Sequence, residues 1–127
     1  MSQDSSKRLL EGHSVLVVED EAIISFLLED MLAELGAAQV RHAASVAAAI
    51  ALLDERMPDL AVLDVNLGGE RVYPVAERLE TAGAAFIFTT GYGRSGLEPR
   101  WQTRTVIQKP FNIEGLTRAL QSALTGR

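Results

Sequence analysis

Leu60-Ala61-Val62-Leu63-Asp64-Val65-Asn66-Leu67-Gly68-Gly69 is the stretch whose reading decides the fold. Four apolar residues run into a carboxylate and two glycines follow, the pattern of a buried strand that hands Asp64 to a loop. In open parallel sheets the ligand crevice lies just outside the carboxyl ends of the strands, so Asp64 is a candidate for chemistry. A turn aspartate that merely closes a strand looks the same locally, and the neighbouring segments decide between the two.

Outward from that strand, short apolar runs alternate with segments of helical period. Ser14 to Val18 is a β-branched run closed by Glu19-Asp20-Glu21, a second strand ending in acid. Ile24, Leu27, Leu28, Met31 and Leu35 predict the inner face of a helix over Ala22 to Leu35, stopped by Gly36. Gln39 to Ala43 reads as a weaker strand, after which Ser45 caps a helix facing inward with Val46, Ala49, Ile50 and Leu53. Gly68-Gly69 is expected to be a flexible link to a helix with Val75, Ala76 and Leu79 inward and Pro74 in its first turn. Ala84 to Phe88 and Thr105 to Ile107 are further strands, and Ile113, Leu116, Leu120 and Leu124 line a last helix. Gly91, Gly93, Gly96 and Pro99 interrupt the segment between the last two strands. Each interior glycine costs a helix about 1 kcal/mol relative to alanine, so the fourth helix is expected to be irregular or short. Strands alternating with helices imply right-handed crossovers and a parallel sheet with helices on both faces.

A length of 127 residues fits one domain. Residues 1–13, polar and mixed in charge, are expected to form a flexible polar leader to a domain over 14–125. A hydrophobic fraction of 47% and a charged fraction of 23% are those of a folded globular chain. A net charge of -5 argues against a surface that tracks nucleic-acid phosphates. The absence of cysteine excludes disulfides and thiolate metal sites and agrees with a cytoplasmic protein. No run approaches the roughly 20 apolar residues of a membrane span.

Several polar residues then fall at one edge of the sheet. Glu19 and Asp20 follow the first strand, Asp64 the third, Thr89 and Thr90 end the fourth, and Lys109-Pro110 follows the fifth. Two like charges about 4 Å apart repel by roughly 4 kcal/mol at an effective dielectric near 20, so three carboxylates there call for positive charge. Lys109 supplies one, and a divalent cation would supply two more. Mg2+ suits carboxylates, a main-chain carbonyl and waters; with no histidine or cysteine in the cluster, zinc does not. This equipment fits phosphoryl transfer, which needs positioning and positive charge more than covalent chemistry. Asp64 is the candidate nucleophile, forming an aspartyl phosphate, with Lys109 and a Thr90 hydroxyl on phosphate oxygens.

Val15-Leu16-Val17-Val18-Glu19-Asp20-Glu21, the Asp64 strand, Phe88-Thr89-Thr90-Gly91 and Lys109-Pro110-Phe111 together resemble the receiver domain of two-component response regulators, over about residues 14 to 125. The resemblance implies a flavodoxin-like, doubly wound, five-stranded sheet in the order 2-1-3-4-5. By position it implies Asp64 as phosphoacceptor, Asp20 as a direct metal ligand, Glu19 as an acid acting through water, and the main-chain carbonyl of Asn66 as a further ligand. Thr90, directly before Gly91, matches the family hydroxyl better than Thr89 does. Lys109 matches the phosphate-binding lysine, and its bond to Pro110 is usually cis in the family. The implied metal is Mg2+, with Mn2+ as a substitute. The implied partners are a histidine kinase or histidine phosphotransfer protein and a downstream protein target, with no direct nucleic acid and no membrane.

Val106 departs from the pattern, because the family often has an aromatic switch there, three residues before the lysine. Phe88-Thr89-Thr90-Gly91-Tyr92 resembles instead a subgroup of stand-alone receivers with a Phe-Ala-Thr-Gly motif, and with nothing after Arg127 to act as an output domain the chain is expected to be of that type. Phosphorylation is then expected to order the glycine-rich segment after Thr90 in place of rotating an aromatic. The plain alternatives are an acid-rich helix start for Glu19-Asp20-Glu21, a solvated Lys109 and a β-forming Thr89-Thr90 pair. His13 and His42 fall outside the constellation, and Tyr92 and Trp101 suit either partner contacts or loop packing. A small aspartate-nucleophile phosphohydrolase would need an acid two residues after Asp64, where Asn66 stands. The other alternative is a docking module of the same fold that is never phosphorylated. The expected protein is not a conventional turnover enzyme.

Overall fold

The computed structural model describes residues 8–125. In chain order the elements are β1 (Ser14–Val18), α1 (Ala22–Glu34), β2 (Gln39–Ala43), α2 (Val46–Glu55), β3 (Leu60–Asp64), β4 (Asn66–Leu67), β5 (Glu70–Arg71), α3 (Tyr73–Ala82), β6 (Ala85–Thr90), β7 (Val106–Gln108) and α4 (Ile113–Thr125). The main sheet runs β2-β1-β3-β6-β7 with every pair parallel. Counting only these five strands the order is 2-1-3-4-5, so the flavodoxin-like arrangement expected from the sequence is present. Its reversal at β1 and β3 opens the crevice over which Asp64 ends its strand.

Alternation within the strands divides the core into two layers. Leu16, Val18, Ala61, Leu63, Phe86 and Phe88 face α2, α3 and Trp101. Val15, Val17, Leu60, Val62 and Ile87 face α1 and α4. Both faces of β1, β3 and β6 are covered, which is why these strands read as continuous apolar runs. Each fully buried aliphatic side chain contributes about 1.5–3 kcal/mol relative to exposure, and this fixes the strand ends that carry the polar residues.

Local signals account for most boundaries. Ser45 caps α2 by accepting a hydrogen bond from the Ala48 amide at 3.1 Å. Ala49 and Leu53 are its buried residues, and Val75, Ala76 and Leu79 are buried on α3. The last two strands begin one residue later than the sequence suggests, at Ala85 and Val106. Between them the chain makes two short 3-10 turns, Gly93–Gly96 and Pro99–Trp101, in place of a regular helix. Trp101 anchors this segment. Only 1% exposed, it stacks on Tyr73 and meets Phe86 and Phe88 edge-on.

Three expectations change. Residues 1–7 of the expected leader lie outside the described residues, but residues 8–13 are tied to the domain. Leu10 is fully buried and donates its amide to the Leu35 carbonyl at 2.9 Å, and Glu11 bridges to Ala37. The inner face of α1 is Ser25, Leu28 and Leu32, whereas Leu27, expected inward, is 52% exposed beside Ile23 and Phe26. With apolar residues on most sides of this helix, period alone cannot choose its face. Gly68-Gly69 is no flexible link: φ of +59° and +99° closes a two-residue turn between β4 and β5, the type I′ geometry for which glycine is suited.

Candidate functional site

Four parallel strands bring their carboxyl ends to one crevice of about 870 Å³, lined by Asp20, Asp64, Asn66, Thr90 and Lys109 among others. Glu19 and Asp20 extend β1, Asp64 is the last residue of β3, Thr90 the last of β6, and Lys109 follows β7 directly. One carboxylate oxygen from each of Glu19, Asp20 and Asp64 lies within 4.8 Å of the others. The convergence expected from the sequence is therefore present in space. His13 and His42 stand apart from it. His42 lies on β2, its Nδ1 sharing a 2.6 Å hydrogen bond with Ser25 Oγ and its Nε2 3.3 Å from Glu29.

The acids differ in environment. Glu19 is 3% exposed and Asp64 6%, whereas Asp20 is open to solvent. Lys109 Nζ donates to Glu19 Oε1 at 3.1 Å and to Asp64 Oδ2 at 3.2 Å. The other Glu19 oxygen accepts from the Glu21 amide at 3.1 Å, and Asp64 Oδ1 accepts from the Asn66 amide at 3.2 Å. Burial, followed by the Asp64 charge, raises the Glu19 carboxyl from 4.5 to about 7 despite these hydrogen bonds. Burial works against a charged Lys109, but Asp64 and Glu19 outweigh it and raise its pKa. One lysine thus balances two buried carboxylates, and Asp20 has no cation partner among the described residues.

This donor set fits a hard divalent cation. It offers only oxygen atoms, on an open side of the crevice, with a surplus of negative charge. Thr90 is buried in the wall, its Oγ1 accepting the Tyr92 amide at 3.0 Å. Thr89 is also buried, but its hydroxyl has no partner and does not line the crevice. The Lys109-Pro110 bond is cis, as the resemblance implied. Val106, at the family's usual aromatic position, packs against the apolar layer around Trp101.

Sequence reasoning missed Arg71, which reaches the crevice on β5. The usable signal was Asn66-Leu67-Gly68-Gly69-Glu70-Arg71, a two-glycine turn flanked by residues that can pair. In the resulting ribbon Asn66 lies opposite Arg71, and Leu67 opposite Glu70.

Comparison with known proteins agrees with this geometry. The family model described as the response regulator receiver domain matches residues 15–121. The probable chemotaxis protein CheY of Rhizobium etli is 29% identical over 121 residues, covering 90% of this chain and 94% of that protein. The solution structure of SdrG from Sphingomonas melonis Fr1 superposes with a TM-score of 0.80 at 40% identity, covering 91% of this chain and 98% of that one. The receiver domain of the Erythrobacter litoralis PhyR response regulator gives a TM-score of 0.71 at 25% identity, covering 91% and 92%.

Proposed function

Because the chain belongs to the response regulator receiver domain family, we propose that Asp64 is its phosphoacceptor, charged by a histidine kinase or histidine phosphotransfer protein, and that residues 14–125 together with the packed residues 8–13 form its receiver unit. The observation that carries this reading is the cluster of Glu19, Asp20 and Asp64 within 4.8 Å, with Lys109 bridging two of its members.

A carboxylate oxygen of Asp64 forms a bond to phosphorus as the bond from phosphorus to the donor's histidine nitrogen breaks. Lys109, already 3.2 Å from Asp64 Oδ2, donates to one phosphoryl oxygen. The Thr90 hydroxyl donates to another, its own oxygen still accepting the Tyr92 amide. Asp20, Asp64 and the main-chain carbonyl of Asn66 would hold Mg2+, with Glu19 reaching it through water and Mn2+ able to substitute. When bound, the cation supplies positive charge to the phosphoryl oxygens. One covalent event per chain, in place of substrate turnover, is the output passed to a downstream protein.

The donor must approach beside Lys109. There α1 exposes Ile23, Phe26 and Leu27, 75%, 63% and 52% exposed. Next to them Ile24, Leu27, Met31, Pro110 and Phe111 form a groove that shares Lys109 with the site. An apolar helix of the phosphodonor protein fits this surface. Among the described residues no helix is long and apolar enough to cross a membrane. The donor's phosphoryl group comes from ATP, so the reading carries a cytoplasmic location with it. Transfer from a phosphorylated histidine phosphotransfer protein tests the whole. Phe26→Asp is expected to slow that transfer at least about tenfold while leaving labelling by acetyl phosphate unchanged. Equal loss with both donors, or no loss, contradicts the docking assignment.

A further inference from the structure

We propose that Arg71 is a specificity-determining residue of the crevice, a guanidinium that stabilises an anionic leaving group and so favours small acyl phosphates over phosphorus–nitrogen donors. The inference rests on the reading of Asp64 as phosphoacceptor. It starts from the β4–β5 ribbon. In a two-stranded ribbon directly opposed residues project from the same face, and successive pairs alternate. The Leu67–Glu70 pair is turned toward the body of the domain: Leu67 is 4% exposed within the core, and Glu70 Oε1 accepts the Val46 amide at the start of α2 at 3.3 Å. The Asn66–Arg71 pair must then face the other way, and both residues line the crevice.

The ribbon is held in place. Gly69 donates its amide to Asn66 Oδ1 at 3.0 Å, and the Val72 amide to the Val65 carbonyl at 3.1 Å closes its base. Arg71 itself is free. Arg41, Arg56, Arg78, Arg94, Arg100 and Arg104 are each held by a carbonyl, an amide or a carboxylate. Arg71 has no such partner among the described residues, although Asp20, Glu21 and Asp64 line the same crevice.

The direction of displacement gives this cation a role. Attacking and leaving groups are roughly in line at phosphorus. Asp64 is buried at 6% exposure, so the leaving group departs toward solvent, the side on which Arg71 and Tyr92 are among the exposed lining residues. With acetyl phosphate, an Asp64 oxygen bonds to phosphorus as the bond from phosphorus to the acyl oxygen breaks. The electron pair leaves on acetate, a carboxylate that a guanidinium can bind by two hydrogen bonds. With phosphoramidate the protonated nitrogen departs as neutral ammonia, and a cation at the mouth gives no such help.

The test measures labelling of the full chain by acetyl phosphate and by phosphoramidate, each with Mg2+, by intact mass, for wild type, Arg71→Gln and Asp64→Asn. Arg71→Gln is expected to slow labelling by acetyl phosphate about tenfold, the effect of roughly one charge-assisted hydrogen bond, and to leave the phosphoramidate rate within about twofold. Equal slowing with both donors, or none with either, overturns the role of Arg71 while the phosphoacceptor reading stands. Absence of labelling on wild type by both donors, or labelling that persists in Asp64→Asn, overturns that reading and the inference with it.

Discussion

Glu19 and Thr89 are two buried polar residues whose environments make opposite demands. Glu19 has a folded-state pKa of about 7 against 4.5 for the free group, chiefly through burial and then the Asp64 charge. A raised carboxyl pKa means that the metal-free fold gains stability from a bound proton. That contribution is fully present below about pH 4.5 and is lost as the pH rises through about 7. A cation held by this cluster competes with the same proton, so affinity for Mg2+ is expected to weaken as the pH falls below about 7. Thermal unfolding in chelator and Mg2+ titration, both from about pH 5 to about pH 8, should show these slopes in wild type and lose them in Glu19→Gln. Thr89 is 1% exposed and its hydroxyl has no partner, which costs about 1–3 kcal/mol. Thr89→Val is therefore expected to stabilise the protein by about 1 kcal/mol in denaturant unfolding and to leave labelling of Asp64 intact; destabilisation would show that the hydroxyl is satisfied. The choice of Thr90 over Thr89 rests on the family resemblance, in which the hydroxyl residue stands directly before the glycine, and of the two only Thr90 lines the crevice. Glu19 is held by long-range partners, its amide by the Ala43 carbonyl on β2 and its carboxylate by Lys109 after β7, and no local pattern states that.

At the scale of elements, the segment between β6 and β7 shows why Gly96 is glycine. A Cβ there would lie 2.6 Å from Thr90 Oγ1, whereas a Cβ on Gly91 would meet nothing within 4 Å. Gly96→Ala is expected to push the Thr90 hydroxyl or the whole turn aside and slow acetyl phosphate labelling several-fold, while Gly91→Ala labels like wild type; equal rates in the two variants would sever the turn from the site. The glycines and Pro99 made the loss of a regular fourth helix legible. The segment forms two 3-10 turns pinned by Trp101 among Tyr73, Phe86 and Phe88. Trp101 lies between partner contact and loop packing by sequence, and only its burial decides for packing. Along α1 and at its end the expected inner residues Ile24, Leu28, Met31 and Leu35 join or pack against the core and only Leu27 does not: Ile23, Ile24, Phe26, Leu27, Leu28, Met31 and Leu32 surround the helix, and the contrast that sets the edge of the inner side is missing.

For the molecule as a whole, the strand order puts Asp64 in the centre, with Glu19 and Asp20 one strand away and Lys109 reaching across from β7. That much was legible because each strand announces its carboxyl end with a polar residue after an apolar run. Arg71 was not, since its place over the crevice follows from a turn geometry and an opposed pair and not from its position in the chain. All of these features converge on one carboxylate, and intact mass after incubation with acetyl phosphate and Mg2+ tests it most directly. The wild-type chain is expected to gain the mass of one phosphoryl group, chelation of Mg2+ to abolish the gain, and Asp64→Asn to gain none. No gain on wild type, or a gain that survives in Asp64→Asn, would contradict the assignment of Asp64.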